Sequence, residues 1–167
     1  MSIDFDLDQR IIVLESSLER HLSWAQSAEM RLAWGLPVST AMLGAIAVLS
    51  PKAASWTVPM GITSSFAVTF LLLSILFFAL SSFPRTSGPK GSLLYFGGIS
   101  SKEESQYHND MTNLTKQEYF EDLVSQCYRN AQVVQKKYSW LQRAFTCLFI
   151  SSVPWVLSIY LLYSDAP

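Results

Sequence analysis

The 167-residue chain is 50% hydrophobic and 13% aromatic but only 15% charged, against roughly 25% charged in an ordinary soluble domain. Its length bounds it to one domain. A formal net charge of −1 excludes a generally basic nucleic-acid binder, and two cysteines exclude a disulfide-stapled scaffold. The charges are unevenly placed: Lys52 alone interrupts the stretch between Arg31 and Arg85, and none falls between Ala144 and Ser164. That distribution predicts an all-α membrane protein with three transmembrane helices.

Residues 1–31 read as a cytoplasmic amphipathic helix. Ile11, Leu14, Leu18, His21, Ala25, Ala28 and Leu32 recur at spacings of three and four, which puts them on one seam. A transmembrane hairpin follows over 32–83. Its two spans, about 32–50 and 57–83, are long enough to cross roughly 30 Å of hydrocarbon, and Ser50-Pro51-Lys52 turns between them. Asp4, Asp6, Asp8, Glu15, Glu19 and Glu29 precede the first span, a composition unlike a cleaved signal peptide.

Residues 84–143 are expected to form a cytoplasmic loop and helices. Pro84, Gly88, Pro89, Gly91, Gly97 and Gly98 mark a loop that carries the apolar insert Leu93-Leu94-Tyr95-Phe96. Ser101-Lys-Glu-Glu104 fits a capping box for a short helix ending near Met111, and Thr115-Lys-Gln-Glu118 fits another. From the second box Phe120, Val124, Cys127, Ala131, Val134, Tyr138, Leu141 and Phe145 follow at spacings of four and three. They run into a third transmembrane helix over 144–163, so this rod would be about 49 residues and roughly 73 Å long.

Orientation follows from the basic residues. Eleven of the twelve lie before the first span or between the second and third, which predicts a cytoplasmic N-terminus and a periplasmic C-terminus. The helical region built from the N-terminal helix and the segment between spans two and three buries little apolar surface alone. Self-association into a homo-oligomer is therefore expected.

Catalytic motifs are absent: the sequence has no Gly-x-x-x-x-Gly-Lys-Ser/Thr loop, no His-Glu-x-x-His and no Gly-x-Ser-x-Gly elbow. No catalytic residue, metal site or cofactor is assigned. His21 reads as a packed seam residue, because a metal needs a cluster of ligands. Cys127 and Cys147 lie on one helix about 30 Å apart by rise, too far to pair. Three features could meet a ligand: the aromatic faces of Tyr95 and Phe96, the cations Arg129, Lys136 and Lys137, and the ring of Tyr128 with that of Tyr119. Each also has a plain structural reading. Arg129, Lys136 and Asp122 share a helix face, which would equally be a solvated surface, and the insert would equally clamp the loop to the long helix.

Order and spacing narrow the choice. The run Ser92-Leu-Leu-Tyr-Phe-Gly97, the acidic Glu103-Glu104 helix, and Tyr128-Arg-Asn-Ala-Gln-Val-Val-Gln-Lys-Lys-Tyr138-Ser-Trp-Leu141-Gln-Arg-Ala-Phe145 leading into a last span resemble the transmembrane effectors of the Pycsar anti-phage systems over residues 84–163. In that family's pattern an asparagine stands at Ser92, a phenylalanine at Tyr95 and a tyrosine at Phe145. The resemblance implies a multi-pass protein of the bacterial inner membrane that senses a cyclic pyrimidine mononucleotide, cCMP or cUMP, made by a partner cyclase. It would then impair the lipid bilayer, so that the infected cell stops growing or dies. Arg129, Lys136 and Lys137 would take the ligand's charge and Tyr95, Phe96 and Tyr128 its base. No nucleic-acid polymer is implied. A membrane effector gated by a cyclic dinucleotide or a partner protein, or a structural three-span subunit of a larger complex, would share the same spans.

Overall fold

The computed structural model describes residues 5–83, 88–89 and 91–164. Pro84, Arg85 and Lys90 of the predicted loop, Asp4 and the Asp165-Ala-Pro tail lie outside the described residues. Five α-helices and one 3-10 turn follow in order: α1 Leu7–Leu49, the turn Ala53–Ser55, α2 Val58–Ser82, α3 Phe96–Ile99, α4 Glu104–Thr112 and α5 Lys116–Ser164. No strand occurs among the described residues, so the fold is all-α. α1, α2 and α5 are each long and apolar enough to cross a membrane.

Local chemistry sets the ends. The Asp6 carboxylate accepts the Leu7 N–H at 2.8 Å where α1 opens, and α1 stops at Leu49, two residues before Pro51. Pro59 falls in the first turn of α2, where a missing N–H leaves nothing unsatisfied. By packing, the chain divides into two compact units. One comprises residues 1–26 and 84–135, the other residues 27–83 and 136–167.

The second unit is a three-helix assembly. Along α2 its buried residues are Met60, Ser64, Ala67, Leu71, Ser74, Phe78 and Ser81, alternating steps of four and three, the spacing that keeps one face against neighbouring helices. One apolar cluster holds Ile46, Met60, Ala67, Leu71, Leu148 and Leu162; a second holds Ala28, Phe78, Leu141 and Ala144. Among them run hydroxyls. Ser74 donates to the Ala144 carbonyl at 2.9 Å and lies 3.2 Å from the Ser39 hydroxyl, so a single α2 side chain touches both other helices. Hydrogen bonds of this kind in membrane proteins average about 0.6 kcal/mol; small side chains also let the backbones approach. Trp155 adds a tie from its Nε1–H to the Met42 carbonyl at 2.8 Å.

In the first unit α1 lies along α5. Tyr119 donates to Glu15 at 2.6 Å, Lys116 meets Asp8 at 3.0 Å, and the Cys127 thiol faces the Leu14 carbonyl at 3.3 Å. Both Lys116 and Asp8 are mostly exposed, so that ion pair contributes little. The α1 seam from Ile11 to Leu32 is buried at Ala28 and half-buried at its other six positions. On α5 the buried stripe starts a step away from the periodic expectation: Leu123 and Gln126 are buried with Cys127, and Val124 is 42% exposed. The reason is that this part of α5 packs against the 92–99 loop as well as α1.

Both capping boxes can be compared with their sequence signatures. At Thr115 the box forms: its N–H and hydroxyl reach Glu118 Oε2 at 2.8 and 2.7 Å. At Ser101 it does not. The Ser101 hydroxyl donates to the Gly98 carbonyl at 2.8 Å, closing the turn behind α3, and α4 is capped by Glu103 with no side-chain bond.

Candidate functional site

The candidate site lies in the first unit, where the Gly91–Gly98 insert meets α5. The insert is held by a polar latch. Asp122 of α5 accepts the Ser92 hydroxyl at 3.0 Å and the Leu93 N–H at 2.9 Å. The Ser92 oxygen accepts the Leu94 and Tyr95 N–H groups at 3.2 and 2.9 Å and the Gln126 amide at 3.3 Å. Ser92 and Gln126 are 4% and 5% exposed, so these bonds form away from water and would be costly to leave unmade. The expectation that Asp122 belongs to a solvated face with Arg129 and Lys136 is thereby corrected: its carboxylate turns to the loop because two donors there need an acceptor.

The latch starts α3, and two glycines allow it to close. A Cβ on Gly98 would lie 2.2 Å from the Ser92 carbonyl oxygen, and one on Gly88 would lie 2.1 Å from the Tyr95 ring. The Gly98 N–H donates to the Tyr95 carbonyl at 2.9 Å and is therefore committed to the α3 turn.

Electrostatics at the start of α5 follow from its cap. Thr115, through its hydroxyl and then its N–H, holds the Glu118 carboxyl below the usual range. Its contribution is present above the ordinary carboxylate pKa and is lost as pH falls through the lowered value. Tyr119 is pushed up to about 12, first by its hydrogen bond to Glu15. That tie is complete below the ordinary tyrosine value of 10.0 and disappears as pH rises through about 12. Burial pushes the Cys127 thiol up.

Beside the latch is a hollow of about 500 Å³, lined by Pro89, Gly91, Ser92, Leu93, Leu114 and Ser125 and by the polar groups of Lys102, Asn109, Asp110, Asn113, Glu118, Glu121 and Asp122. Four carboxylates face one lysine there, and Lys102 is already paired with Asp110 at 2.6 Å. Among the described residues no three His, Cys, Asp or Glu side chains are placed so that they could hold a metal ion. His21 is half-buried with its ring 5.5 Å from that of Trp24, and its Nδ1 has no hydrogen-bond partner among the described residues.

Residues 13–164 match the family described as the Pycsar effector protein domain. The chain belongs to this family. It is a Pycsar effector of anti-phage defence, associated with the membrane and acting with a cyclase partner. The match covers the latch, α1 from Val13 onward, all of α2 and α5, and every predicted contact residue. No curated protein and no solved structure matches the chain.

Within this Pycsar effector the six predicted contact residues fall in both units. Tyr95, Phe96, Tyr128 and Arg129 belong to the first, Lys136 and Lys137 to the second. Tyr95 and Phe96 lie with ring centroids 4.5 Å apart. Phe96 and Tyr128 are 60% and 68% exposed and so present free ring surface. Arg129 is half-buried and donates to Gln132 at 3.2 Å. Lys136 is exposed, whereas Lys137 is largely covered and ion-paired with Glu29. Asp122 and Gln126, which hold the loop, were missed by sequence reasoning. Their signal was a pair of polar residues at i and i+4 facing away from the apolar seam, a pattern shared by any solvated helix.

Proposed function

We propose that this Pycsar effector senses a cyclic pyrimidine mononucleotide, cCMP or cUMP, and answers by impairing the bacterial inner membrane. The observation that carries the reading is the family match over residues 13–164, which takes in the latched aromatic loop, α2, α5 and α1 from Val13 onward. A cyclic mononucleotide brings one negative charge and one flat base. The acidic hollow is the wrong partner for that charge, since four carboxylates would repel it. Exposed aromatic surface at Phe96 and Tyr128, with Arg129 next to Tyr128 on the same helix, suits it better. Tyr95 completes the set through its contact with Phe96.

Calorimetric titration of the purified full chain tests the ligand. Either cCMP or cUMP should bind, and Arg129→Ala should weaken binding by about 1.5–3 kcal/mol, the range for a hydrogen bond to a charged group. Binding of a cyclic dinucleotide in place of both would move the chain to a differently gated effector. No nucleotide binding, with no toxicity beside a cyclase, would leave a structural subunit.

Topology is tested separately. With the N-terminus cytoplasmic and the C-terminus periplasmic, a reporter active only in the periplasm should work when fused after Pro167 and be silent when inserted near Gly88. The reverse pattern would place the latched loop on the wrong side to meet a cytoplasmic nucleotide.

A further inference from the structure

The last charge before the 144–164 stretch of α5 is Arg143. Its guanidinium lies 4.7 Å from the centroid of the Trp140 ring, and Trp140 stacks on Phe77 of α2 with centroids 5.7 Å and planes 28° apart. Stacking orients the cation instead of leaving it to sweep through solvent. Among the described residues no carboxylate pairs with Arg143. Next to it is a hollow of about 460 Å³ lined by Phe77, Ser139, Gln142, Arg143, Thr146 and Cys147, all in the second unit.

That lining is divided. Ser139, Gln142 and Arg143 supply donors toward the charged end of the helix, while Phe77 and Cys147 supply apolar wall beside the charge-free stretch. Thr146 turns its hydroxyl to the Gln142 carbonyl at 2.9 Å and so adds no free donor. One unpaired cation, no carboxylate and an apolar continuation suit a ligand with an anionic head and a hydrocarbon tail. The hollow in the first unit, with its four carboxylates, has the opposite character.

We propose that this second hollow binds the headgroup of an anionic phospholipid. Arg143 takes the phosphate, Ser139 and Gln142 hydrogen-bond to the head, and an acyl chain lies along Phe77 and Cys147. The division of the lining favours a lipid over a free phosphate, which would leave the apolar wall uncovered. The site is independent of nucleotide sensing.

Native mass spectrometry of the detergent-purified full chain tests it, with phosphatidylglycerol, phosphatidylcholine and water-soluble glycerol 3-phosphate as probes. Phosphatidylglycerol should be retained about fivefold more tightly than phosphatidylcholine, the ratio expected of one basic side chain at an anionic surface. Arg143→Gln should bring that ratio to about one, Arg143→Lys should keep part of it, Gln142→Ala should reduce it, and Arg20→Gln should leave it unchanged. Equal retention of the two lipids by the wild type would overturn the proposal, as would an unchanged ratio in Arg143→Gln. Displacement of phosphatidylglycerol by equimolar glycerol 3-phosphate would assign the hollow to a soluble phosphate and overturn the lipid assignment.

Discussion

Asp122→Ala is expected to release the 92–99 loop from α5 and to blunt the response to nucleotide. The substitution leaves the Ser92 hydroxyl and the Leu93 N–H without their shared acceptor. Hydrogen bonds to charged groups are worth about 1.5–3 kcal/mol. On that scale the Leu93 amide should exchange its hydrogen about tenfold to a hundredfold faster, read by native-state hydrogen exchange. Asp122→Asn keeps one acceptor oxygen and should restore part of the protection. Unchanged exchange in the alanine variant would mean that apolar contacts alone hold the loop. The same variant should still insert in the membrane, because Asp122 belongs to the first unit and the apolar clusters of the spans to the second.

Phe78→Ala should be the most damaging single truncation within the spans. Phe78 is fully buried, the largest such side chain described, and its ring meets Phe145 edge-on with centroids 5.2 Å and planes 89° apart. In lipid the transfer part of the cost largely cancels, since acyl chains are as apolar as the helix interior. The cavity part remains, about 24 cal/mol for each Å³ left open, which comes to about 2 kcal/mol for a truncation of this size. Thermal unfolding of the detergent-purified variant should show a loss of several degrees, and Phe78→Leu should recover part of it. An unaltered midpoint would show that the helices close over the gap.

The parts of this architecture that were legible in the sequence are those written in local pattern. The seam of α1 from Ile11 to Leu32 follows from a three-four spacing, and every one of its members is at least half-buried. Three charge-poor stretches became three long helices, with the break at Pro51. The Thr115–Glu118 box could be read because both of its partners lie within one turn. The Ser101 signature looked the same, yet its hydroxyl found the Gly98 carbonyl, a competitor supplied by the α3 turn. Asp122 shows the wider difficulty: its donors lie about thirty residues away, and no periodicity links them. Likewise, the burial of Leu123 and Gln126 depends on a loop whose docking the α5 sequence does not encode. Tyr128 and Phe96 were chosen for their ring chemistry, and only the structure shows that their surfaces are exposed.

The two cysteines give the molecule a practical property. Cys127 is 7% exposed, directs its thiol at the Leu14 carbonyl, and has a pKa raised by burial; Cys147 is 9% exposed and lies in an apolar stretch of α5. Alkylation needs a thiolate that an aqueous reagent can reach. Native protein should therefore react only slowly with water-soluble maleimides, so that a newly exposed cysteine is labelled first. A cysteine placed at exposed Gln135, outside the predicted contact set, would take the label almost alone. The probe's environment could then be followed upon adding nucleotide in a chain altered at one position only.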